Sequence, residues 1–417
     1  MNQPLTRRDF FGILGAAGLA PLLSGAAQAA ARPFRIRTIT AGVQLESLTR
    51  LAKLRQAVQF LQHTGKQFMA AGYEVQTLRI ATQALHQYRS DWTSKAALTA
   101  LQALDRLVQD HGVILSIGQV ISNDRSEPAM ADWAARLMQT TRGISFTVNA
   151  ASQAQGIHEL AIASAAETMA AIARATAGGE GNFRFAATAF CPPGTPFFPA
   201  AFHTGPDDFS IGLESPGLLQ AAFSSAGDFG AAKTALRRSM ESALQPVQKL
   251  AQSISRARQR PYLGIDVSPA PGLDASIGQA IESLTGRPFG SPSTLSACAT
   301  ITDVLKSLSI KTCGYSGLML PVLEDPVLAH RAAERRYGVA ELLLYSSVCG
   351  TGLDVVPLPG DTPVSALRAI IRDMAALSNK YHKPLSARLF PVPGKGAGQA
   401  VHFDNPFLTD SVVMHAG

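Results

Sequence analysis

The chain alternates short, apolar, β-prone runs with helical segments of ten or more residues, and this alternation constrains the fold more than any other feature. The first unit is an extended run over residues 35–43, followed by a helix predicted over residues 45–71 and ended by Gly72. The pattern recurs with predicted strands at 73–82, 113–121 and 144–149 and with predicted helices at 94–111, 128–141 and 157–176. Such alternation is typical of βαβ units and a parallel sheet, so the sequence predicts an α/β fold.

The second part of the chain adds more strand candidates. Three are clear, at residues 183–190, 209–213 and 262–267, and three are weaker, at 317–322, 353–358 and 385–392. Residues 218–260 form the longest helical stretch, which is predicted to break near Pro246. The total of about ten strands favours a larger barrel or two sheets over the eight strands of a TIM-like barrel, which stays the alternative. Without a Pro/Ser-rich linker or a shift in composition, residues 30–417 are predicted to form a single domain.

The overall composition excludes several classes of protein. Of the 417 residues 46% are hydrophobic and 16% charged, with 35 Gly and 25 Pro, which argues against intrinsic disorder and against a helical rod. The four cysteines, at positions 191, 298, 313 and 349, are too few for a disulfide-stapled miniprotein. They form no C-x-x-C pair, so neither a zinc ribbon nor a thioredoxin motif is present.

The N-terminus has the features of an export signal. Arg7 and Arg8 precede an apolar stretch rich in Gly and Ala, and Ala27-Gln28-Ala29 fits a signal peptidase site. We therefore predict a twin-arginine signal peptide over residues 1–29, the twin-arginine export machinery as a partner, and a periplasmic or otherwise extracytoplasmic location. No later stretch reaches about 18 uninterrupted apolar residues, which predicts no stable membrane insertion after cleavage.

The net charge of +7 says little about partners. Removal of residues 1–29 takes away Arg7, Arg8 and Asp9, which leaves +6. The basic residues around Arg237 and Arg256 are typical of a solvated helix face, so no nucleic-acid partner is predicted.

The first candidate functional segment is a long loop, residues 190–208, that follows a predicted strand. The prolines at 192, 193, 196 and 199 stiffen it, three of its Phe side chains are available to line a pocket, and Cys191 and His203 supply polar groups. The alternative is a rigid cap over the sheet. We predict a ligand-binding role for His203 and for Glu214, which lies just beyond the next strand.

A second segment, residues 315–326, ends an apolar run with two carboxylates. Glu324 is predicted to act as a base or a metal ligand. Asp325 precedes Pro326 and is predicted instead to cap a helix that has proline at its first position.

Two further segments lie near the C-terminus. In residues 346–362, Cys349 and Asp354 are predicted catalytic residues. Gly350 and Gly352, on either side of Thr351, allow either the close approach of a ligand to the backbone or tight packing. In residues 388–398, three glycines surround Lys395 as in a backbone nest for an anion, with Arg388 one strand length upstream. Lys395 and Arg388 are therefore predicted to bind a carboxylate or a phosphate.

Four segments carry a family resemblance: IRTITAG at 36–42, YSGLMLPVLED at 315–325, VCGTGLDVVPLPGDT at 348–362 and KPLSARLFPVPGKGAG at 383–398. Together they resemble the uncharacterised family named domain of unknown function 711. The resemblance implies a pyruvate formate-lyase-like α/β barrel of ten strands in two five-stranded halves, but it implies no function. The R-V-x-G-aromatic motif of the glycyl radical enzymes is missing, and RRYGV at 335–339 is the nearest string, so radical chemistry is not expected.

Three functional hypotheses follow. The first is an enzyme acting on a small anionic metabolite, in which Cys349, Asp354, Arg388 and Lys395 converge on one pocket. The second is a periplasmic ligand-binding protein without catalysis. The third is a divalent-metal-dependent hydrolase or isomerase that uses Glu324, Asp354 and His203. The sequence identifies no cofactor and is compatible with a homo-oligomer.

Overall fold

The computed structural model describes residues 32–416, which contain a mixed sheet surrounded by helices. Its strands are β1 (Arg35–Val43), β2 (Val75–Thr82), β3 (Val113–Ile121), β4 (Ile144–Ser152), β5 (Gly156–Ile157), β6 (Phe185–Ala189), β7 (Asp208–Glu214), β8 (Tyr262–Ala270), β9 (Gly352–Pro359) and β10 (Leu385–Val392). A separate two-stranded ribbon pairs β11 (Ala400–Val401) with β12 (Ser411–Val412). The predicted α/β class is confirmed.

The helices connect the strands and cover the sheet. They are α1 (Ala52–Ala70), α2 (Lys95–Gln109), α3 (Met130–Thr140), α4 (Glu159–Ala175), α5 (Pro216–Phe223), α6 (Phe229–Arg258), α7 (Ile277–Thr285), α8 (Thr294–Lys306), α9 (Pro326–Ala333), α10 (Val339–Ser346) and α11 (Val364–Tyr381), with 3-10 turns at Leu85–Gln87 and Ala177–Arg184. None of the helices within residues 32–416 combines the length and the apolar character needed to cross a bilayer.

The strand order divides the sheet into two groups of opposite direction. Along the sheet the order is β8-β7-β1-β2-β3-β4-β6-β10-β9, and the short β5 pairs with β4. Strands β1, β2, β3, β4 and β6 are parallel neighbours. Strand β7 is antiparallel to β1 and parallel to β8, and β10 is antiparallel to β6 and parallel to β9. The chain therefore builds one parallel group first and then adds a pair of reversed strands to each of its edges.

Residues 311–322 contact both outer strands of this sheet. At one end the amide of Ile265 in β8 donates to the carbonyl of Lys311 at 2.9 Å, and at the other the amide of Val322 donates to the carbonyl of Asp354 in β9 at 3.1 Å. The strand predicted at 317–322 is thus reduced to an isolated parallel bridge between Pro321 and Asp354.

The same segment crosses the chain at two glycines. An ideal Cβ on Gly350 would lie 2.3 Å from Cα of Gly317, and a Cβ on Gly317 would lie equally close to Gly350. The amide of Gly350 also donates to the carbonyl of Leu318 at 3.1 Å. Only residues without a Cβ permit this backbone approach.

The predicted break near Pro246 is wrong. Helix α6 continues through Pro246, because Leu244 and Val247 on either side remain buried in the core and packing outweighs the lost amide donor. The break falls at residues 224–228 instead, where a carboxylate oxygen of Asp228 accepts from the amide of Ala231 at 2.8 Å and caps the new helix.

Asp325 has the capping role that its position before Pro326 predicts. Its carboxylate accepts from the amides of Val327 and Leu328 at the start of α9. It also accepts from the amides of Ile277 and Gly278 at the start of α7. One buried side chain therefore satisfies the first turns of two helices.

The four cysteines are free thiols. Cys298 is fully buried on α8. Cys349 is buried in the same hydrophobic core.

Candidate functional site

The structure brings together three of the predicted site residues, Glu324, Asp354 and Arg388. Arg388 lies in β10, Asp354 in the adjacent β9, and Glu324 at the end of the segment that bridges β9. The Nη2 atom of Arg388 is 2.6 Å from Oε1 of Glu324, and its Nε atom is 2.7 Å from Oδ1 of Asp354. One guanidinium thus binds two buried carboxylates, and we call these three residues the charged cluster.

Two arginines of β1 extend the charged cluster towards Glu214. The Nη2 atom of Arg37 is 3.4 Å from Oε2 of Glu324, and its Nη1 atom is 3.0 Å from Oε2 of Glu214. Arg35 completes the chain of contacts, with Nη1 at 2.6 Å from Oε1 of Glu214. Glu214, predicted from its place after a strand, therefore reaches Glu324 through Arg37.

Burial sets the protonation behaviour of the charged cluster. Burial raises the pKa of Glu324, and the nearby charge of Asp354 acts in the same direction against the opposing influence of Arg388 and Arg37. Burial alone would lower the pKa of Arg388, but Asp354 and Glu324 more than offset this and the pKa is raised. Arg388 is thus held as a cation, whereas Glu324 keeps its proton to a higher pH than an ordinary glutamate does.

A small cavity lies beside the charged cluster. Its volume is about 20 Å³, room for about one water molecule. Its polar lining comes from Asp354, Arg388, Thr351, Ser386 and Tyr315. The cavity thus exposes both members of the β9–β10 ion pair to whatever occupies it.

Part of the cavity wall is formed by the loop of residues 190–208. Residues 197–200 line the cavity, so two of the three predicted phenylalanines, Phe197 and Phe198, contribute to a pocket. The carbonyl oxygen of Pro196 accepts from Oγ1 of Thr40 at 3.0 Å and also from Nη1 of Arg79. The loop therefore bonds to β1 and β2 as well as closing the cavity.

Arg79 is a residue that the sequence analysis missed. It lies in β2, its side chain is almost entirely buried, and its guanidinium lies 5.4 Å from the ring centroid of Phe198. Burial, reinforced by the like charges of Arg37 and Arg388, lowers the pKa of Arg79 to about 9. The sequence did contain a signal, because Arg79 is a charged residue between Leu78 and Ile80 in a predicted strand. A charged residue is as unusual there as Arg388 is in its own strand.

Cys349 and Lys395 do not meet each other. Cys349 precedes β9 and Lys395 follows β10, and because these eight-residue strands are parallel, the two residues lie at opposite ends, about 25 Å apart. Cys349 packs in the core, whereas Lys395 is exposed. The structure therefore does not form the pocket in which both were expected to converge.

The glycines around Lys395 do not leave an open nest of amide groups. The amide of Gly396 donates to Oε1 of Gln399 at 2.8 Å, and the amide of Gly398 donates to the carbonyl of Val413 at 2.8 Å. Both donors are used within the protein.

His203 lies away from the charged cluster. It is buried near Gly42, with Nδ1 at 3.2 Å from Oδ2 of Asp208 and Nε2 at 2.8 Å from the carbonyl oxygen of Gly205. Gly42 is five residues further along β1 than Arg37, about 16 Å at strand spacing. His203 is therefore not placed to share a metal ion with Glu324 and Asp354. Within residues 32–416, no group of three or more His, Cys, Asp and Glu side chains is arranged to hold a metal ion.

Comparison with known proteins agrees with the resemblance seen in the four sequence segments. The profile of the family described as "Uncharacterised ACR (DUF711)" matches residues 29–405. A UPF0210 protein of Pyrobaculum arsenaticum is 30% identical over 322 residues, 73% of this chain and 70% of the relative. A UPF0210 protein of Desulfovibrio desulfuricans is 27% identical over 408 residues, 88% of each chain. The chain therefore belongs to the uncharacterised DUF711 family.

Proposed function

We propose that the protein is an enzyme that acts on a small anionic metabolite in the cavity beside the charged cluster. The observation that carries the proposal is that Arg388, which lines the cavity together with Asp354, also binds the buried Glu324. Buried charges are costly to maintain, and they are concentrated where an enzyme uses them. The polar side chains of Tyr315 and Ser386 on the same wall add hydrogen-bonding groups for a ligand.

In this proposal Glu324 moves the proton. Its raised pKa suits a general acid–base, and Arg388 and Arg37 hold its two carboxylate oxygens in a fixed orientation. Asp354 keeps Arg388 in place and leaves the guanidinium charged near the ligand. The residues therefore have distinct tasks, with Glu324 for proton transfer, Asp354 for positioning and Arg388 for charge.

Access to the cavity requires the loop to move. A cavity of about 20 Å³ is far below the roughly 300–1,000 Å³ of typical ligand sites. Residues 197–200 form the mobile wall of the cavity in this proposal, because they belong to a loop rather than to the sheet. We propose that withdrawal of this loop segment admits the metabolite and that its return excludes water from the charged cluster.

We further propose that the sheet is a closed, pyruvate formate-lyase-like barrel. Strands β1, β2, β3, β4 and β6 would form one five-stranded half. Strands β7, β8, β9 and β10, joined by residues 311–322 as an irregular fifth member, would form the other. The contacts of residues 311–322 with both β8 and β9 support this closure.

We propose export of the protein by the twin-arginine route, with residues 1–29 removed and residues 30–417 acting as one domain outside the cytoplasm. Residues 1–29 lie outside the part of the chain that the structure describes. This proposal therefore depends on two sequence features, the Arg7-Arg8 pair and the Ala27-Gln28-Ala29 site. Replacing Arg7 and Arg8 with lysine should retain the full-length precursor in the cytoplasm, whereas the native chain is cleaved and exported. Immunoblots of cell fractions check this, and equal export of both chains would refute it.

The enzymatic proposal is tested by metabolite depletion. Residues 30–417 are incubated with a cell metabolite extract and anionic species are followed by liquid chromatography and mass spectrometry, with metal content measured on the same preparation. We expect depletion of at least one anion by the native chain and a fall in rate of about 100-fold or more for Glu324→Gln, which keeps the shape but cannot exchange the proton.

Glu282→Gln is the matched control, because Glu282 also binds an arginine, Arg331, at 2.7 Å but outside the cavity. Its rate should equal that of the native chain. Saturable binding without depletion would instead favour a ligand-binding protein. A depletion rate that increases with the metal content and is the same in Glu324→Gln would favour metal-dependent hydrolysis or isomerisation. That result would overturn the role of Glu324.

A further inference from the structure

Arg79 is a buried cation without a carboxylate partner. Its side chain is 4% exposed. Within residues 32–416 its one hydrogen-bond acceptor is a backbone carbonyl, and no carboxylate pairs with it. The neighbouring charges are matched one for one, since Arg388 binds Asp354, Arg37 binds Glu324, and Arg35 binds Glu214. A buried guanidinium without a counter-ion is energetically costly, so among these neighbouring groups Arg79 is the positive charge that lacks compensation.

The hydrogen bonds of Arg79 leave one edge of its guanidinium unused. The Nη1 atom donates to the carbonyl oxygen of Pro196, which also accepts from Oγ1 of Thr40. The Nε atom is buried and has no hydrogen-bond partner within the described part of the chain. Nε and Nη2 form the edge that binds a carboxylate through two parallel hydrogen bonds.

We propose that Arg79 binds a carboxylate group of the ligand through this Nε–Nη2 edge and that the substrate is a small monocarboxylate. This inference deepens the proposed function and rests on it for the place of binding. A single negative charge neutralises the single unmatched cation, whereas a phosphate dianion would be repelled by the carboxylates of Glu324 and Asp354. The planar, two-oxygen shape of a carboxylate also matches one arginine edge better than a tetrahedral phosphate does.

Phe198 connects this subsite to the cavity. Its ring lies over the Arg79 guanidinium and also lines the cavity beside Arg388. Displacement of this one side chain, which belongs to the mobile wall proposed above, would join the two spaces. A monocarboxylate bound at Arg79 would then direct the rest of the molecule towards Arg388 and Glu324.

The test measures the unfolding temperature of residues 30–417 with sodium acetate, glycolate, malonate or phosphate, against sodium chloride at equal ionic strength. We expect acetate and glycolate to raise the unfolding temperature of the native chain in a saturable manner and more than phosphate or malonate do. Arg79→Met removes the buried charge at similar length and should lose this shift. Arg79→Lys keeps the charge but not the two-donor edge and should weaken the apparent affinity at least tenfold.

Arg184→Met is the matched control, because Arg184 is another arginine with a lowered pKa. Its Nη1 atom donates to Thr141 and Ile144, and its Nη2 atom donates to Met138. This variant should keep the acetate shift. An unchanged shift in Arg79→Met, no shift in the native chain, or a phosphate effect equal to that of acetate would overturn the inference. Acetate binding that depends on Arg79 without metabolite depletion would refute the enzymatic proposal alone, and depletion that is unaffected in Arg79→Met would refute the Arg79 subsite alone.

Discussion

Arg388→Met should destabilise the protein by about 3–5 kcal/mol at neutral pH. The substitution leaves Asp354 without an arginine and Glu324 with only the longer 3.4 Å contact to Arg37, while both carboxylates stay buried. The native guanidinium is 4% exposed, so water cannot replace it without disrupting the packing. Urea unfolding of the native and variant chains measures the difference in the free energy of unfolding.

The loss caused by Arg388→Met should depend on pH in a defined direction. Burial already raises the pKa of Glu324 in the native chain, and without Arg388 the pKa rises further. A carboxyl whose pKa is higher in the folded than in the unfolded state favours folding at pH values below its unfolded pKa, and this contribution is lost as the pH rises through the folded pKa. The deficit of the variant should therefore be smallest near pH 4 and grow towards pH 8.

Arg331→Met serves as the control for Arg388→Met. Arg331 also binds two carboxylates, Glu282 and Glu334, but these contacts are closer to the surface. The free energy of unfolding of this variant should fall by about 1 kcal/mol or less, because water solvates the carboxylates that Arg331 no longer binds. A loss of about 1 kcal/mol for Arg388→Met too, or a deficit that does not change with pH, would contradict the assignment of Arg388 as the buried counter-ion of both acids.

Gly350→Ala should lower the free energy of unfolding by more than about 3 kcal/mol, which is at the upper end of the effects of an added methyl group. The new Cβ would lie 2.3 Å from Cα of Gly317, and no flexible side chain is available to move away. The two backbone segments must separate, which strains the hydrogen bond from Gly350 to Leu318 and the neighbouring contacts of residues 311–322 with β9. Thermal unfolding and urea unfolding of the variant measure the effect.

Gly227→Ala is the matched control for Gly350→Ala. A Cβ on Gly227 meets no atom within 4 Å. That substitution should be neutral or stabilising by up to about 1 kcal/mol, because alanine restricts the unfolded chain. Equal effects of the two substitutions would show that the close approach of the backbones at Gly317 and Gly350 does not determine stability.

The local features of the fold were predictable from the sequence. The run 385–392 is apolar at most of its positions, and β10 has these bounds in the structure. Asp325 before Pro326 was predicted to cap a helix, and it caps two. These features depend on a few consecutive residues, whose conformational preferences are readable without knowledge of the partners.

The arrangement of the candidate site was predictable only in part. Glu324, Asp354 and Arg388 stood out as polar residues in or beside apolar strands, and they lie together. Arg79 has the same signal but was missed, because its neighbours come from β1 and the loop of residues 190–208 rather than from its own segment. Cys349 and Lys395 were grouped by their closeness to strand ends, and the parallel pairing of β9 with β10, which places them at opposite ends, is not encoded locally.

The reversal of direction between the two strand groups has a consequence for assembly. Arg37 and Arg79 belong to the group that is complete by residue 189, whereas Glu324, Asp354 and Arg388 arrive only after residue 300. A chain interrupted within residues 204–207 would therefore yield two fragments with opposite net charge in their interiors. The first fragment would have an excess of buried positive charge, and the second would have an excess of buried negative charge at Glu214 and Glu324. Each fragment alone would expose apolar strands and unmatched charge, so the fragments would attract one another and fold by complementation, and the neutralised interior would form as the last step of their association.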